Sequence, residues 1–316
     1  MPRVTVIVPC FENELNVTVT TTTLIHNESL FEKDFQFEYI FVDDGSKDGT
    51  FKKLLEFHAQ YPKKVKIIKL SRNFGSTNAV FAALSHSSGD CNVVLSADLQ
   101  DPPELMVKMV EFWKKGFKLV VASRIGREEP LLQRIISNTT HFLIRKLALK
   151  NLPQAGFDMN LFDQEIGKIL LQMRDKNSFF PYLLMWLGYE FASIPYVRKK
   201  RELGVSSYTF WTKLKAFIDS FVAFSYTPIR AISVIGLSLG VIAFCYAIFV
   251  IVGHMAGLVP VEGWTSTMVV ILFVASFQMI ALGIIGEYVW RALDEAKGRP
   301  NFVIERVIGD SCIPPQ

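Results

Sequence analysis

Residues Val93–Glu104 read VVLSADLQDPPE. Val93–Leu95 is aliphatic and uninterrupted, which is the pattern of a buried strand. Asp98, Gln100, Asp101 and Glu104 then arrive within seven positions, around Pro102–Pro103. A carboxylate and an amide oxygen two residues apart on an extended segment point to the same side. Hard oxygen ligands of this kind suit Mg2+ or Mn2+, which keeps several waters and is completed by a substrate phosphate. A lone acid after a strand also serves as a helix cap or turn residue, and the local sequence leaves both roles open. The prolines stiffen the turn and suit the first position of a following helix. Glu104 and Glu111 fit that helix and its solvent face.

The same transition recurs upstream and downstream. Apolar runs at Val4–Val8, Glu38–Val42, Val65–Leu70, Asn92–Ser96 and Leu119–Ala122 alternate with amphipathic stretches such as Gly49–His58 and Thr77–Leu84. Strand–helix alternation predicts parallel βαβ units with right-handed crossovers, and ligands of such sheets bind beyond the carboxyl ends of the strands. Those ends are PCFENE (Pro9–Glu14), DDGSKDGT (Asp43–Thr50), SRNFGS (Ser71–Ser76), ADLQDPPE (Ala97–Glu104) and SRIGRE (Ser123–Glu128). Five polar ends predict one cleft. None contains GxGxxG or GxxxxGK[ST], so a dinucleotide fingerprint and a P-loop are unsupported. Asp43–Asp44–Gly45–Ser46 reads either as an Asx turn or as carboxylates accepting from a base N–H or ribose hydroxyls. Arg72, Arg124 and Arg127 read either as solvated residues or as oxyanion ligands.

Composition bounds the remaining classes. The chain has 316 residues, half of them apolar, and a formal net charge of +4. That is enough chain for a sizeable core, and the mild basicity is not that of a nucleic-acid binder. Cys10, Cys91, Cys245 and Cys312 are widely spaced, which predicts neither a disulfide framework nor a zinc site and fits a reducing compartment. The Val4–Val8 run is too short for a signal peptide. Ala231–Val252 carries no charge over 22 residues, and a second uncharged stretch runs from Gly263 to Gly286. Each is long enough to cross a hydrocarbon core about 30 Å thick. The connector His254–Glu262 lacks Lys and Arg, whereas Lys213, Lys215 and Arg230 precede the first span and Arg291, Lys297, Arg299 and Arg306 follow the second. The positive-inside rule therefore predicts an integral two-pass membrane protein with its large N-terminal region and both termini in the cytoplasm. Between soluble region and span, Arg198–Pro228 mixes aromatic and apolar residues with Lys213, Lys215 and Asp219. This fits a helix in the membrane interface, with the basic run Arg198–Arg201 near an anionic leaflet.

The order PxF, VDDGSxDGT, LSRNFG, ADLQDPPE and ASR, then RxxRxxGxSxY before two spans, resembles the inverting family 2 glycosyltransferases. It resembles most the polyisoprenyl-phosphate glycosyltransferases, namely bactoprenol glucosyltransferases and dolichol-phosphate mannosyltransferases. GEYVWRALDEAKGRP (Gly286–Pro300) is similar to the bactoprenol branch. The resemblance implies an α/β fold: a Rossmann-like GT-A nucleotide-sugar domain with a mostly parallel sheet over residues 1–200. A juxtamembrane amphipathic segment (201–228), a two-helix transmembrane hairpin (229–289) and a cytoplasmic tail (290–316) would follow.

Site roles are implied by the same resemblance. Pro9, Phe11, Asp43 and Asp44 would hold base and ribose, with Arg72 and Glu14 in the same nucleotide-sugar pocket and Arg124 on the sugar or phosphate. Asp98 would be the metal-binding acid, with Gln100 as second ligand. Arg198 and Arg201 would face the lipid phosphate, with Ser206 and Tyr208 closing that side. Asp158, in GFDMNLF, matches an acidic position before the acceptor-side helix. Asp98, Asp158 and Arg201 are thus the candidate catalytic residues, Mg2+ or Mn2+ the cofactor, and a nucleotide-diphosphate sugar, a polyisoprenyl phosphate and membrane lipids the partners. A homo-oligomer is compatible with only two spans. The chain departs from the family pattern at three places: Ser96 replaces the first acid of DxD, Phe11-Glu12-Asn13 replaces Tyr-Asn-Glu, and Met159-Asn160-Leu161 replaces Phe-Arg-Leu. The implied reaction moves glucose from UDP-glucose to undecaprenyl phosphate with inversion. Its rivals are a GDP-mannose or amino-pentose donor, a dolichol acceptor, or a non-catalytic membrane-anchored nucleotide-binding partner.

Overall fold

The computed structural model describes residues 1–32, 34–126, 142, 144–146, 149, 151–153, 156–173, 178–198, 227–255 and 263–309. The chain forms two compact units, Met1–Ser220 together with Pro300–Gln316, and Phe221–Arg299.

The first unit is built on strands β1 (Arg3–Cys10), β2 (Gln36–Asp43), β3 (Val65–Leu70), β4 (Cys91–Val94), β5 (Leu119–Gly126), β6 (Asn160–Asp163), β7 (Phe191–Val197) and β8 (Ile304–Ile308). They form one sheet in the order β7-β5-β6-β4-β1-β2-β3-β8. β1 runs parallel to β2 and β4, β2 parallel to β3, and β5 parallel to β7. Only β6 and β8 run against their neighbours. The expected mostly parallel α/β sheet is therefore present, and β1 to β5 lie where the apolar runs put them. Helices α1 (Glu14–Asn27), α2 (Thr50–Gln60), α3 (Ser76–Leu84), α4 (Leu105–Lys114), α5 (Gln164–Gln172) and α6 (Phe180–Trp186) connect and cover it.

β1 shows why these residues choose a central strand. Val4 to Val8 are buried on both faces, so the run does not alternate, as a strand covered by helices on both sides requires; its one polar residue, Thr5, is satisfied by donating to Glu38 Oε2 at 2.6 Å. Val4, Val6 and Val8 pack with Tyr39, Phe41, Val93 and Leu95 in the core, each aliphatic contributing roughly 1.5–3 kcal/mol on full burial. β7 instead alternates, with Ala192, Ile194 and Tyr196 inward, and it tolerates Pro195 because it is an edge strand. The other edge would be β3, but β8 covers it in antiparallel register, Ile67 opposite Ile308 and Lys69 opposite Arg306. The Lys69 ammonium meets Glu305 at 2.9 Å. β8 lies within the segment assigned above as tail.

The second unit contains α7 (Thr227–Met255) and α8 (Trp264–Ala296). Their 29 and 33 residues correspond to roughly 43 and 50 Å of helix, more than a hydrocarbon core of about 30 Å. Ile229–Tyr246 and Val269–Ala296 are apolar enough to span a membrane. The amphipathic segment 201–226, the connector 256–262 and residues 310–316 lie outside the described residues.

Candidate active site

The carboxyl ends of β2, β1 and β4 stand side by side, with Cys10 opposite Asp43 and Ile7 opposite Val94. Two strand spacings separate the Asp43 end from the Asp98 loop, about 10 Å. Pro9, the next-to-last residue of β1, is half-buried between them, and Phe11 beyond it is 36% exposed.

Asp43 is fully buried. Its Oδ1 accepts from the Ser46 amide at 3.1 Å, while Oδ2 has no hydrogen-bond partner among the described residues. Burial holds its pKa above the ordinary 3.8, opposed by the Ser46 hydrogen bonds and the Lys69 charge. A buried acceptor left open in this way has room for a further donor, such as a water or a base N–H. Asp44 does different work. Its two oxygens accept from the Phe74 amide at 2.7 Å and the Gly75 amide at 2.8 Å, so it fixes the loop after β3. Gly45, at φ 70°, lies against that loop, and a Cβ there would overlap the Arg72–Asn73 backbone. Arg72 is exposed, with its guanidinium over the Phe74 ring at 4.3 Å. Glu14 Oε2 accepts from the Gly49 amide at 2.9 Å, at the N-terminus of α2 where an acid is favoured. Asp48 caps the same helix through Thr50 and also accepts from the Glu14 amide. The Glu12 amide is held by Ser46 Oγ at 3.0 Å.

The segment after β4 departs from the expected extended geometry. β4 ends at Val94, and Ala97–Asp98 form a turn. Leu99 takes a left-handed backbone, φ 51°, a conformation that costs a branched residue about 1 kcal/mol or more. Asp98 Oδ1 accepts from Ser96 Oγ at 2.8 Å and the Gln100 amide at 3.3 Å, closing an Asx turn in place of strand alternation. Thr20 Oγ1 pins the Ala97 carbonyl at 2.7 Å. Pro102 and Pro103 sit ahead of α4, where their carbonyls accept its first amides. Asp98 and Gln100 both remain half-exposed. Among the described residues no group of three or more His, Cys, Asp or Glu could hold a metal ion. One carboxylate and one amide oxygen therefore fit a hard cation that arrives with a diphosphate, not one caged by protein alone.

The third region lies beyond β4, at the ends of β5 and β7. Arg124 and Tyr196 are neighbours across the β5–β7 ladder. Arg124 is buried and pairs with Asp158, and Arg198 Nη2 lies 3.3 Å from the same Asp158 carboxylate. Asp158, Arg124, Gly156, Phe157, Leu152, Phe179, Pro181 and Tyr182 line a cavity of about 140 Å³. Arg198 Nε also faces Asp101 at 3.6 Å, and the Tyr196 hydroxyl donates to Asp101. Asp101 and Tyr196 carried no sequence assignment. The signal available was the three-residue spacing of Asp98 and Asp101 and the inward alternation of β7. Arg201, Ser206, Tyr208 and Arg127 lie outside the described residues.

Known proteins resemble this chain in sequence. The sequence signature of "Glycosyl transferase family 2" matches residues 5–169, from β1 into α5. A glycosyltransferase of Bacillus subtilis named only as uncharacterized is 32% identical over 96% of this chain and 94% of its own. The bactoprenol glucosyl transferase of Shigella phage SfV is 31% identical over 96% and 98%, and the SfII prophage-derived one of Shigella flexneri is 30% identical over the same shares. These matches run through the two apolar helices, beyond the family signature. Among solved structures, a mannosyltransferase of Pyrobaculum calidifontis in complex with GDP-Man and Mn2+ is 20% identical, with a TM-score of 0.49 over 66% of this chain and 59% of that one.

Proposed function

This chain belongs to glycosyl transferase family 2, and from that premise we propose that it transfers glucose from UDP-glucose to undecaprenyl phosphate with inversion, at the cytoplasmic face of the membrane. The observation that carries the reading is the four-residue loop Asp98–Asp101. It carries Asp98 and Gln100, both half-exposed, within three residues of Asp101, which faces the Arg198 guanidinium at 3.6 Å. An anionic donor and an anionic acceptor are thus served from one turn. The bactoprenol names of the full-length relatives support the lipid acceptor.

The acceptor is a phosphate anion, so its oxygen attacks the anomeric carbon without a general base. The bond from that carbon to the diphosphate breaks, its electron pair leaves on the nucleoside diphosphate, and in-line attack inverts the centre. The open Asp43 oxygen takes a base N–H, and the loop fixed by Asp44 closes the nucleotide side. Asp98 and Gln100 would hold Mg2+ or Mn2+, which supplies Lewis-acid neutralisation of the leaving diphosphate. Arg198 stabilises phosphate charge on the acceptor side and Arg124 holds the sugar or phosphate; the lipid-phosphate roles of Arg201, Ser206 and Tyr208 rest on the family resemblance alone. A polyprenyl tail stays in the bilayer, so its phosphate is met at the surface. β8 pairs with β3 after the two apolar helices, which supports a hairpin whose two ends return to the same side.

The test is transfer by the purified full-length chain from UDP-glucose, other UDP-sugars and GDP-mannose to undecaprenyl phosphate, read as acid-labile label in the organic phase. UDP-glucose is expected to give the highest kcat/KM. Faster transfer from GDP-mannose would replace the donor, and no transfer from any sugar would overturn the reading.

A further inference from the structure

We infer that Asp101 and Tyr196 are positioning residues for the acceptor phosphate, acting through Arg198, a role that rests on the functional reading above. Asp101 has no exposure and Tyr196 only 5%. Carboxylates are almost never buried so completely unless paired. Here the Tyr196 hydroxyl donates to Asp101 Oδ1, and the Arg198 Nε faces the same oxygen at 3.6 Å. Asp101 Oδ2 is buried and has no hydrogen-bond partner among the described residues.

The geometry gives it a task. Arg198 stands between two carboxylates of unequal access: Asp101 is sealed inside, whereas the Asp158 side chain is 35% exposed. A phosphate that approaches from solvent can displace Asp158 from the guanidinium but cannot displace Asp101. Asp101 therefore keeps the arginine aimed while the outer partner is exchanged for substrate. Tyr196 keeps Asp101 in place. Its phenol pKa is pushed up to about 12 by burial and by the Asp101 charge, so it remains the donor at neutral pH. Because Asp101 and Asp98 share one turn, the acceptor arginine is anchored to the loop that meets the diphosphate.

The test uses the full-length protein with UDP-glucose and undecaprenyl phosphate, varying each substrate in turn. Asp101→Asn removes the charge that faces the Arg198 guanidinium at 3.6 Å and is expected to raise the acceptor KM about tenfold, while the donor KM stays within about twofold. In an Arg198→Ala background the same substitution should add little, since both act on one guanidinium. Tyr196→Phe keeps the ring packed and should show the same split at smaller size, and it carries the test if Asp101→Asn does not fold. Equal rises in both KM values, or additive losses in the double variant, would overturn the role and leave the functional reading standing. A wild-type protein inactive with every sugar would take both down.

Discussion

The two sides of the candidate site use carboxylates in opposite ways. On the β1–β2–β3 side, Asp44, Glu14 and Asp48 spend their oxygens on backbone amides of Phe74, Gly75, Gly49, Thr50 and Glu14. On the β5–β7 side, Asp101 and Asp158 face side chains: Tyr196, Arg124 and Arg198. Amides belong to the main chain and cannot be exchanged, so the first arrangement presets a rigid pocket. Guanidinium groups can trade one anion for another, so the second is suited to a phosphate that arrives and leaves. Of the acids on the first side, Asp43 alone keeps a buried oxygen without a hydrogen-bond partner among the described residues.

Four substitutions or titrations would break or sharpen this contrast. The largest effect is expected at the Asp98–Asp101 turn. Asp98→Asn should lower kcat by at least about a hundredfold and leave membrane insertion intact; wild-type turnover at saturating substrate and metal would remove Asp98 from the site. Next, Asp44→Ala leaves the Phe74 amide without its acceptor, while the Gly75 amide keeps Asn73 Oδ1 at 3.0 Å. It should cost about 1–3 kcal/mol in chemical denaturation and raise the donor KM more than the acceptor KM. An unchanged unfolding midpoint would mean that the loop does not depend on Asp44. Asp158→Asn removes the counter-charge that Asp158 gives the buried Arg124, so it should also cost stability, about 1–3 kcal/mol, but it should raise the acceptor KM more than the donor KM. A donor KM raised more than the acceptor KM would erase the distinction. The smallest effect is a pH shift. Asp43 is raised above 3.8 by burial, so its ionised form dominates only above that raised value. UDP binding, followed by calorimetry, should weaken as pH falls through a midpoint above 3.8. A midpoint at or below 3.8 would mean that the open oxygen does not serve the base.

How much could be read without coordinates varied along the chain. Leu119–Ala122 announces a strand because burial on both faces forces consecutive apolar residues, and Val4–Val8 and Val65–Leu70 do so through their β-branched and aliphatic residues despite Thr5, Lys66 and Lys69. β6 escaped notice because it is four residues long and holds Asn160 and Asp163. Its place between β4 and β5 is set by neighbours far along the chain. β8 escaped because five residues, two of them charged, declare themselves only beside the β3 edge they cover. Ser123 and Arg124 were legible as a polar strand end, but the burial of Arg124 against Asp158 was not.

By itself the sequence determined the alternation of buried strands and helices, the two apolar spans and the polar residues at the strand ends, because each is written in consecutive residues. Tertiary structure alone decided which acid is engaged and which is open. The partner of Asp44 lies 30 residues away, that of Glu14 35, that of Asp101 95 and that of Lys69 236. Asp43 and Asp44 are adjacent and chemically identical, and differ only in which amides fold onto them.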